Sequence, residues 1–176
     1  MFELDEFQNL IRLVDDAETI HEKGQRFEEL SAYLFEHLDG VEVIERDVHM
    51  ASEEIDLVLW NAQTEEVLRP WEAVILVECK NWSEAVGAAV LDNFVNKVRR
   101  RALKIGIFIA ANGVTGNFVK GDANDRGAVG ILRSALQDGL RIIVITMDDI
   151  RAVNSLDDIR DMVKKKYCGI FVHKFL

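Results

Sequence analysis

Three residues in the first half of the chain are of the types that can hold and flank a divalent cation. Asp56 lies within the apolar run Ile55–Trp60, and Glu78-Cys79-Lys80 closes the run Ala73–Val77. Two carboxylates can hold a hard divalent cation, and Lys80 would stand next to it. Both runs are rich in Val, Ile and Leu and too short for helices, which predicts two adjacent strands. Side chains alternate along a strand, so Glu78 and Lys80 share a face with Val74 and Leu76, and Asp56 shares one with Val58 and Trp60. A hairpin with Asp56 opposite Glu78 has its midpoint at Val67, in the polar connection that also holds the chain's single proline, Pro70. Directly opposed Cβ atoms lie roughly 4.5–5.5 Å apart. Carboxylates that close disfavour joint ionisation unless a cation stands between them.

An E-x-K tripeptide alone is weak evidence, because a surface ion pair reads the same way. The context is more specific. Asp56 followed by Glu78-Cys79-Lys80 at the end of the next apolar run resembles the D…(D/E)xK signature of restriction-endonuclease-like nucleases. Upstream, Gly24-Gln25-Arg26-Phe27-Glu28 resembles the first-helix glutamate of their Mrr-like branch. The similarity runs from about Gly24 to Thr146 in element order. It implies a three-layer α/β/α fold with a central mixed sheet, an antiparallel first hairpin and parallel later strands. It also implies a Mg2+-dependent endonuclease acting on DNA, duplex DNA in particular, with Mn2+ as a substitute ion.

In that reading Asp56 and Glu78 are metal ligands, and the resemblance adds the Cys79 carbonyl as a third. Lys80 positions the attacking water or stabilises negative charge. Glu28 either serves a second ion or a metal-bound water, or merely flanks the core. For nucleic acid, Lys97, Arg100, Arg101 and Lys104 approximate one helical face that would track phosphates; basic residues also favour a helix C-terminus through its dipole. Trp82 either stacks on a base or packs at the strand exit. Asn112 and Thr115 follow a strand's carboxyl end, where α/β sheets bind ligands, yet Asn-Gly is also turn chemistry.

The elements that must hold these residues follow from periodicity. A helical stripe runs through residues 2–20, and a second helix starts near His21–Gln25 and ends at Asp39-Gly40. Val41–Val48 reads as a strand near an edge, since it carries Glu45, Arg46 and Asp47. A helix over Ala88–Leu103 precedes the nearly pure apolar strand Lys104–Ala111, which predicts burial on both faces. A helix over about Asp125–Asp138, a strand at Arg141–Thr146, a helical, charged stretch over Met147–Lys166 and a closing strand or tail at Cys168–Phe175 complete the chain. Alternating helices and strands predict parallel pairing in this half. One α/β domain spans 1–176, with a helical extension at 1–20, a core at 21–150 and a C-terminal helix and tail at 151–176.

Composition sets limits. Residues 1–66 carry 4 Lys/Arg against 19 Asp/Glu, and residues 67–176 carry 17 against 12, within an overall charge of −10. Such a balance argues against a simple nucleic-acid binder, while leaving a mildly basic side that can face phosphates across a short screening length. Cys79 and Cys168 lack zinc-like spacing. No GxSxG, HExxH or GxxxxGK[ST] pattern is present. No apolar run reaches the roughly 20 residues of a membrane span, and the acidic start MFELDEFQNL is unlike a signal peptide. A cytoplasmic protein without membrane contact is expected. A homodimer, or a partner subunit docked on the first helix, would supply the second site that duplex cutting needs. The competing readings are a catalytically silent nuclease-like module that binds protein or DNA, and an α/β small-molecule-binding domain whose ExK is accidental.

Overall fold

The structure is a computed structural model that describes residues 2–50, 53–116 and 127–175. Its elements are α1 (Leu4–Asp16), α2 (Ile20–Glu36), β1 (Val41–Met50), β2 (Glu53–Asn61), β3 (Val74–Lys80), α3 (Ala88–Arg100), β4 (Ile105–Ala110), α4 (Ala128–Gln137), β5 (Arg141–Ile145), α5 (Met147–Arg151) and α6 (Leu156–Ile170). The five strands form one sheet in the order β1-β2-β3-β4-β5. The β1/β2 and β2/β3 pairs are antiparallel, and β3/β4 and β4/β5 are parallel. This is the mixed sheet expected from the sequence, with short connections early and helical crossovers later.

Each local choice has a visible cause. Thr19 starts α2 by accepting a hydrogen bond from the Glu22 N–H, satisfying one of the otherwise orphaned donors of the first turn. All six residues of β4 are buried, as a central strand covered on both faces requires. Gly106 on that strand is needed for space. A Cβ there would sit 2.8 Å from Val98 Cγ2 and 2.9 Å from the Phe94 ring, so the missing side chain lets α3 settle close on the sheet. Phe94 packs on Phe108 of β4, with ring centroids 5.5 Å apart. Helix α2 covers the opposite face, where the Cys79 thiol meets Ser31. The site residues of β2 and β3 thus lie in the middle layer, near the open ends of their strands.

The helical stretch Met147–Lys166 divides into two helices, because Ser155 opens a new one by capping the Asp158 N–H. Of the two readings of Cys168–Phe175 the closing strand is corrected: Cys168 belongs to α6, and turns follow it, with no strand there among the described residues. The expected helix start at Asp125 lies outside the described residues, and α4 is seen from Ala128.

Candidate active site

The β2/β3 ladder runs from Trp60↔Val74 to Leu57↔Val77. One residue further in the same register, Asp56 faces Glu78, and there the ladder gives way to a side-chain contact. The Cys79 N–H donates to Asp56 Oδ2 at 2.6 Å, which fixes one carboxylate oxygen against the neighbouring strand. Lys80 Nζ lies 2.8 Å from Glu78 Oε1 and 3.7 Å from Asp56 Oδ2. Asp56 and Glu78 are both buried. The fold therefore brings Asp56, Glu78 and Lys80 into one cluster.

The third strand extends this row. On β1, Arg46 pairs with Leu57 and Val48 with Ile55, so the residue between them, Asp47, falls opposite Asp56. Asp47 has φ 51°, a left-handed backbone that aspartate tolerates better than most residues. Its carboxyl stands near that of Glu28 on α2, across the hollow both residues line. Asp47, Asp56 and Glu78 thus form a line of acids across three adjacent strands, with Glu28 above it. Glu28, Asp47, His49 and Glu54 line a hollow of about 390 Å³.

Crowding of like charges alters these groups. Burial pushes the Glu28 carboxyl up to about 8, helped by the neighbouring Asp47 carboxyl and by the charges of Asp56 and Glu54. Burial also raises Asp56 to about 6; Lys80 opposes that shift and Glu78 adds to it. Burial works against the Lys80 ammonium, but Asp56 and Glu78 outweigh it and hold its pKa above the ordinary value. The buried Cys79 thiol is pushed well up, leaving it protonated and inert as a nucleophile.

Lys97 occupies a place the sequence did not suggest. Only 8% exposed, it reaches from α3 to Glu78 Oε2 at 2.6 Å and to the Glu54 carbonyl at 2.6 Å. It therefore does not share an outward basic face with Arg100. Arg100 and Arg101 both pair with Glu53 at the start of β2. Lys104 lies beyond the end of α3, with its N–H bonded to the Glu72 carboxylate. Trp82 is 47% exposed, so it is not packed into the core. The Asn112 amide donates to the Trp82 carbonyl at 2.6 Å. Thr115 serves the backbone instead, its hydroxyl accepting the Ala128 N–H at the start of α4. Sequence reasoning missed Asp47 and Glu53, and it placed Lys97 on a phosphate-tracking face instead of beside Glu78. For Lys97 a signal was present: it lies three residues after Phe94, on the inward side of α3.

The donors suit a hard divalent cation. Among the described residues no three His, Cys, Asp or Glu side chains form a ready cage. A magnesium-type site needs less, because that ion is commonly held by one or two carboxylates and completes its shell with water and phosphate oxygens. Asp56 and Glu78 supply two such carboxylates. Burial first, and neighbouring carboxylates second, raise both Glu28 and Asp56, and a cation beside them would oppose both effects.

The profile of a family described as a restriction endonuclease, of the Mrr catalytic-domain type, matches residues 21–125. The chain belongs to the Mrr-like restriction endonuclease family. The match takes in Glu28, Asp47, Asp56, Glu78, Lys80 and Lys97, the full acidic row with both lysines. No curated protein matches this Mrr-like chain. Among solved structures it is similar to Pyrococcus furiosus SfsA in complex with Ca2+, at 21% identity and a TM-score of 0.38, over 70% of this chain and 55% of that one. No helix among the described residues is long and apolar enough to cross a membrane.

Proposed function

We propose that this Mrr-like chain is a metal-dependent endodeoxyribonuclease, hydrolysing phosphodiester bonds of DNA at the Asp56–Glu78–Lys80 pocket. The observation that carries the reading is Lys80 Nζ standing 2.8 Å from Glu78 and 3.7 Å from Asp56. An ammonium between two buried carboxylates is poised to face a third anion, the scissile phosphate. Asp56 and Glu78, with the Cys79 carbonyl, would hold Mg2+, or Mn2+ in its place. Bound there, the ion supplies Lewis-acid polarisation of the phosphate and lowers the pKa of its water.

The remaining work falls to the chain itself. The Cys79 N–H orients Asp56 by holding Oδ2, and Oδ1 is the oxygen this bond leaves for the ion. Lys80 stabilises the charge gathering on the phosphoryl oxygens in a site sheltered from bulk water. Glu28, held protonated near neutral pH in the free protein, can give up that proton once positive charge arrives. Arg100 and Arg101 flank the site at the β2 entrance and would track the DNA backbone, with Trp82 and Asn112 beyond the end of β3.

Cleavage of plasmid DNA with Mg2+ or Mn2+ tests the reading. Wild type should nick or linearise the plasmid, and Asp56→Ala, Glu78→Ala and Lys80→Ala should each lose that activity while staying folded. Retained cleavage in Asp56→Ala or Lys80→Ala would remove the assignment. A second reading, a silent nuclease-like module, is favoured by one observation: Lys80 and Lys97 already engage both oxygens of Glu78. The same assay separates the two, because the silent module cuts nothing under any ion.

A further inference from the structure

Past Lys80 the chain runs Asn81-Trp82-Ser83 along a second, larger concavity of about 590 Å³, walled by the loops that follow β3, β4 and β5. It is built directly on the strand that carries Lys80. The Ala111 N–H donates to the Lys80 carbonyl at 2.9 Å, and the Met147 N–H donates to the Ala111 carbonyl at 3.1 Å. The floor of the concavity is therefore bonded to the proposed site, one residue beyond it.

The charges on its walls cancel. Lys23 and Arg151 stand against Asp15 and Asp148, and Arg151 pairs with Asp15 at 2.6 Å. A pocket with two carboxylates is a poor phosphate site. Its carboxylates and side-chain amide oxygens supply acceptors. One N–H of the Asn81 amide goes to the Lys23 carbonyl (3.1 Å) and one of Asn112 to the Trp82 carbonyl (2.6 Å), which orients both amides and leaves each oxygen as an acceptor beside one remaining N–H. Trp82, half exposed at the rim, offers an aromatic face. A neutral, planar ring with amine donors on its edge matches this set.

We propose that the concavity receives one unstacked nucleobase of the DNA strand whose phosphate lies at Lys80. Trp82 is its stacking platform, and Asp148 and the Asn112 oxygen accept from its exocyclic amine. The proposal rests on the nuclease reading of the Asp56–Glu78–Lys80 pocket. Stacking on an aromatic side chain tolerates any base, whereas carboxylate and amide acceptors favour cytosine or adenine over thymine. Bases reached this way are those already loosened from the helix, for which the unpairing cost is least.

The test is fluorescence anisotropy of labelled DNA with the full chain in EDTA, where no cutting intrudes. The ligands are one fully paired duplex and the same duplex with a single unpaired cytosine or thymine. Wild type should bind the unpaired-cytosine duplex about tenfold more tightly than the paired one, the scale of a single base stack. Trp82→Phe should keep that preference and Trp82→Ala should lose it, with matched thermal melting. Asp148→Asn should narrow the gap between cytosine and thymine. Equal binding of paired and unpaired duplexes, a preference that survives Trp82→Ala, or no binding of any of these DNAs overturns the proposal. Mg2+-dependent cleavage by a chain indifferent to the unpaired base removes the base pocket alone. A clear preference in a chain that never cuts removes the nuclease reading and keeps the pocket.

Discussion

Lys97 Nζ sits 2.6 Å from Glu78 Oε2 and so ties α3 to the strand that ends in Lys80. The contact is buried on both sides and reaches β2 as well, through the Glu54 carbonyl. One side chain thus joins three elements beneath the acidic row. Removing Lys97 leaves Glu78 Oε2 and the Glu54 carbonyl without their buried donor and Glu78 with Lys80 alone, which costs more than the net worth of the pair.

Lys97→Met should accordingly lower unfolding free energy by about 3 kcal/mol, read from urea denaturation. The double variant Lys97→Met, Glu78→Met should recover part of that loss, because the buried carboxylate oxygen that lost its donor is gone. A Lys97→Met protein within about 0.5 kcal/mol of wild type, the range of ordinary surface changes, would show that the contact is not formed in solution.

Stability of the metal-free protein should fall as pH rises from about 4 to about 8. Asp56 binds its proton more tightly folded (about 6) than an unfolded carboxyl does, and so does Glu28 (about 8). The folded state therefore holds more protons across this window, and its advantage is complete below the unfolded carboxyl value of about 4 and lost through the folded ones. The Asp56 share is on the order of 2 kcal/mol. Thermal melting at pH 5 and pH 8 measures it, and Asp56→Asn should flatten the lower part of the curve. A melting temperature that climbs over this range contradicts the charge arrangement.

Asp47→Asn should draw the Glu28 pKa downward, since it removes one of the charges opposing ionisation. Side-chain carboxyl NMR titration follows Glu28 directly. An unchanged Glu28 midpoint would mean that the two carboxyls do not meet.

Arg100→Ala should weaken DNA binding alike for all sequences and lower the log K against log salt slope by about 1, the signature of one lost phosphate contact. Binding isotherms at several salt concentrations give the slope. No change in slope would take this face of α3 off the DNA path.

How much of this was legible in the sequence depends on which physical signal carried it. The β2/β3 register was readable because alternating runs of Val, Ile and Leu allow one face to be buried, and a slip of one residue would turn Leu57 and Val77 outward. The buried central strand β4 announced itself by composition alone. Lys97 was obscured by its neighbours: Arg99, Arg100 and Arg101 make the end of α3 look like an ordinary basic C-terminus, and the helical spacing from Phe94 was the only pointer inward. Asp47 was hidden differently, since its place opposite Asp56 depends on the β1/β2 register past an irregularity between Val43 and Glu45. The break between α5 and α6 was marked by Asn154-Ser155, a cap signal inside a charged stretch that otherwise reads as continuous helix.

Helix α2 carries Glu28 over the acidic row and, one and a half turns earlier, offers the Lys23 carbonyl that anchors Asn81 beside Trp82. Seventeen residues of continuous helix make a stiff rod. A tilt of that rod would reach both hollows at once, so a ligand that moves it on the Trp82 side should also shift the Glu28 carboxyl.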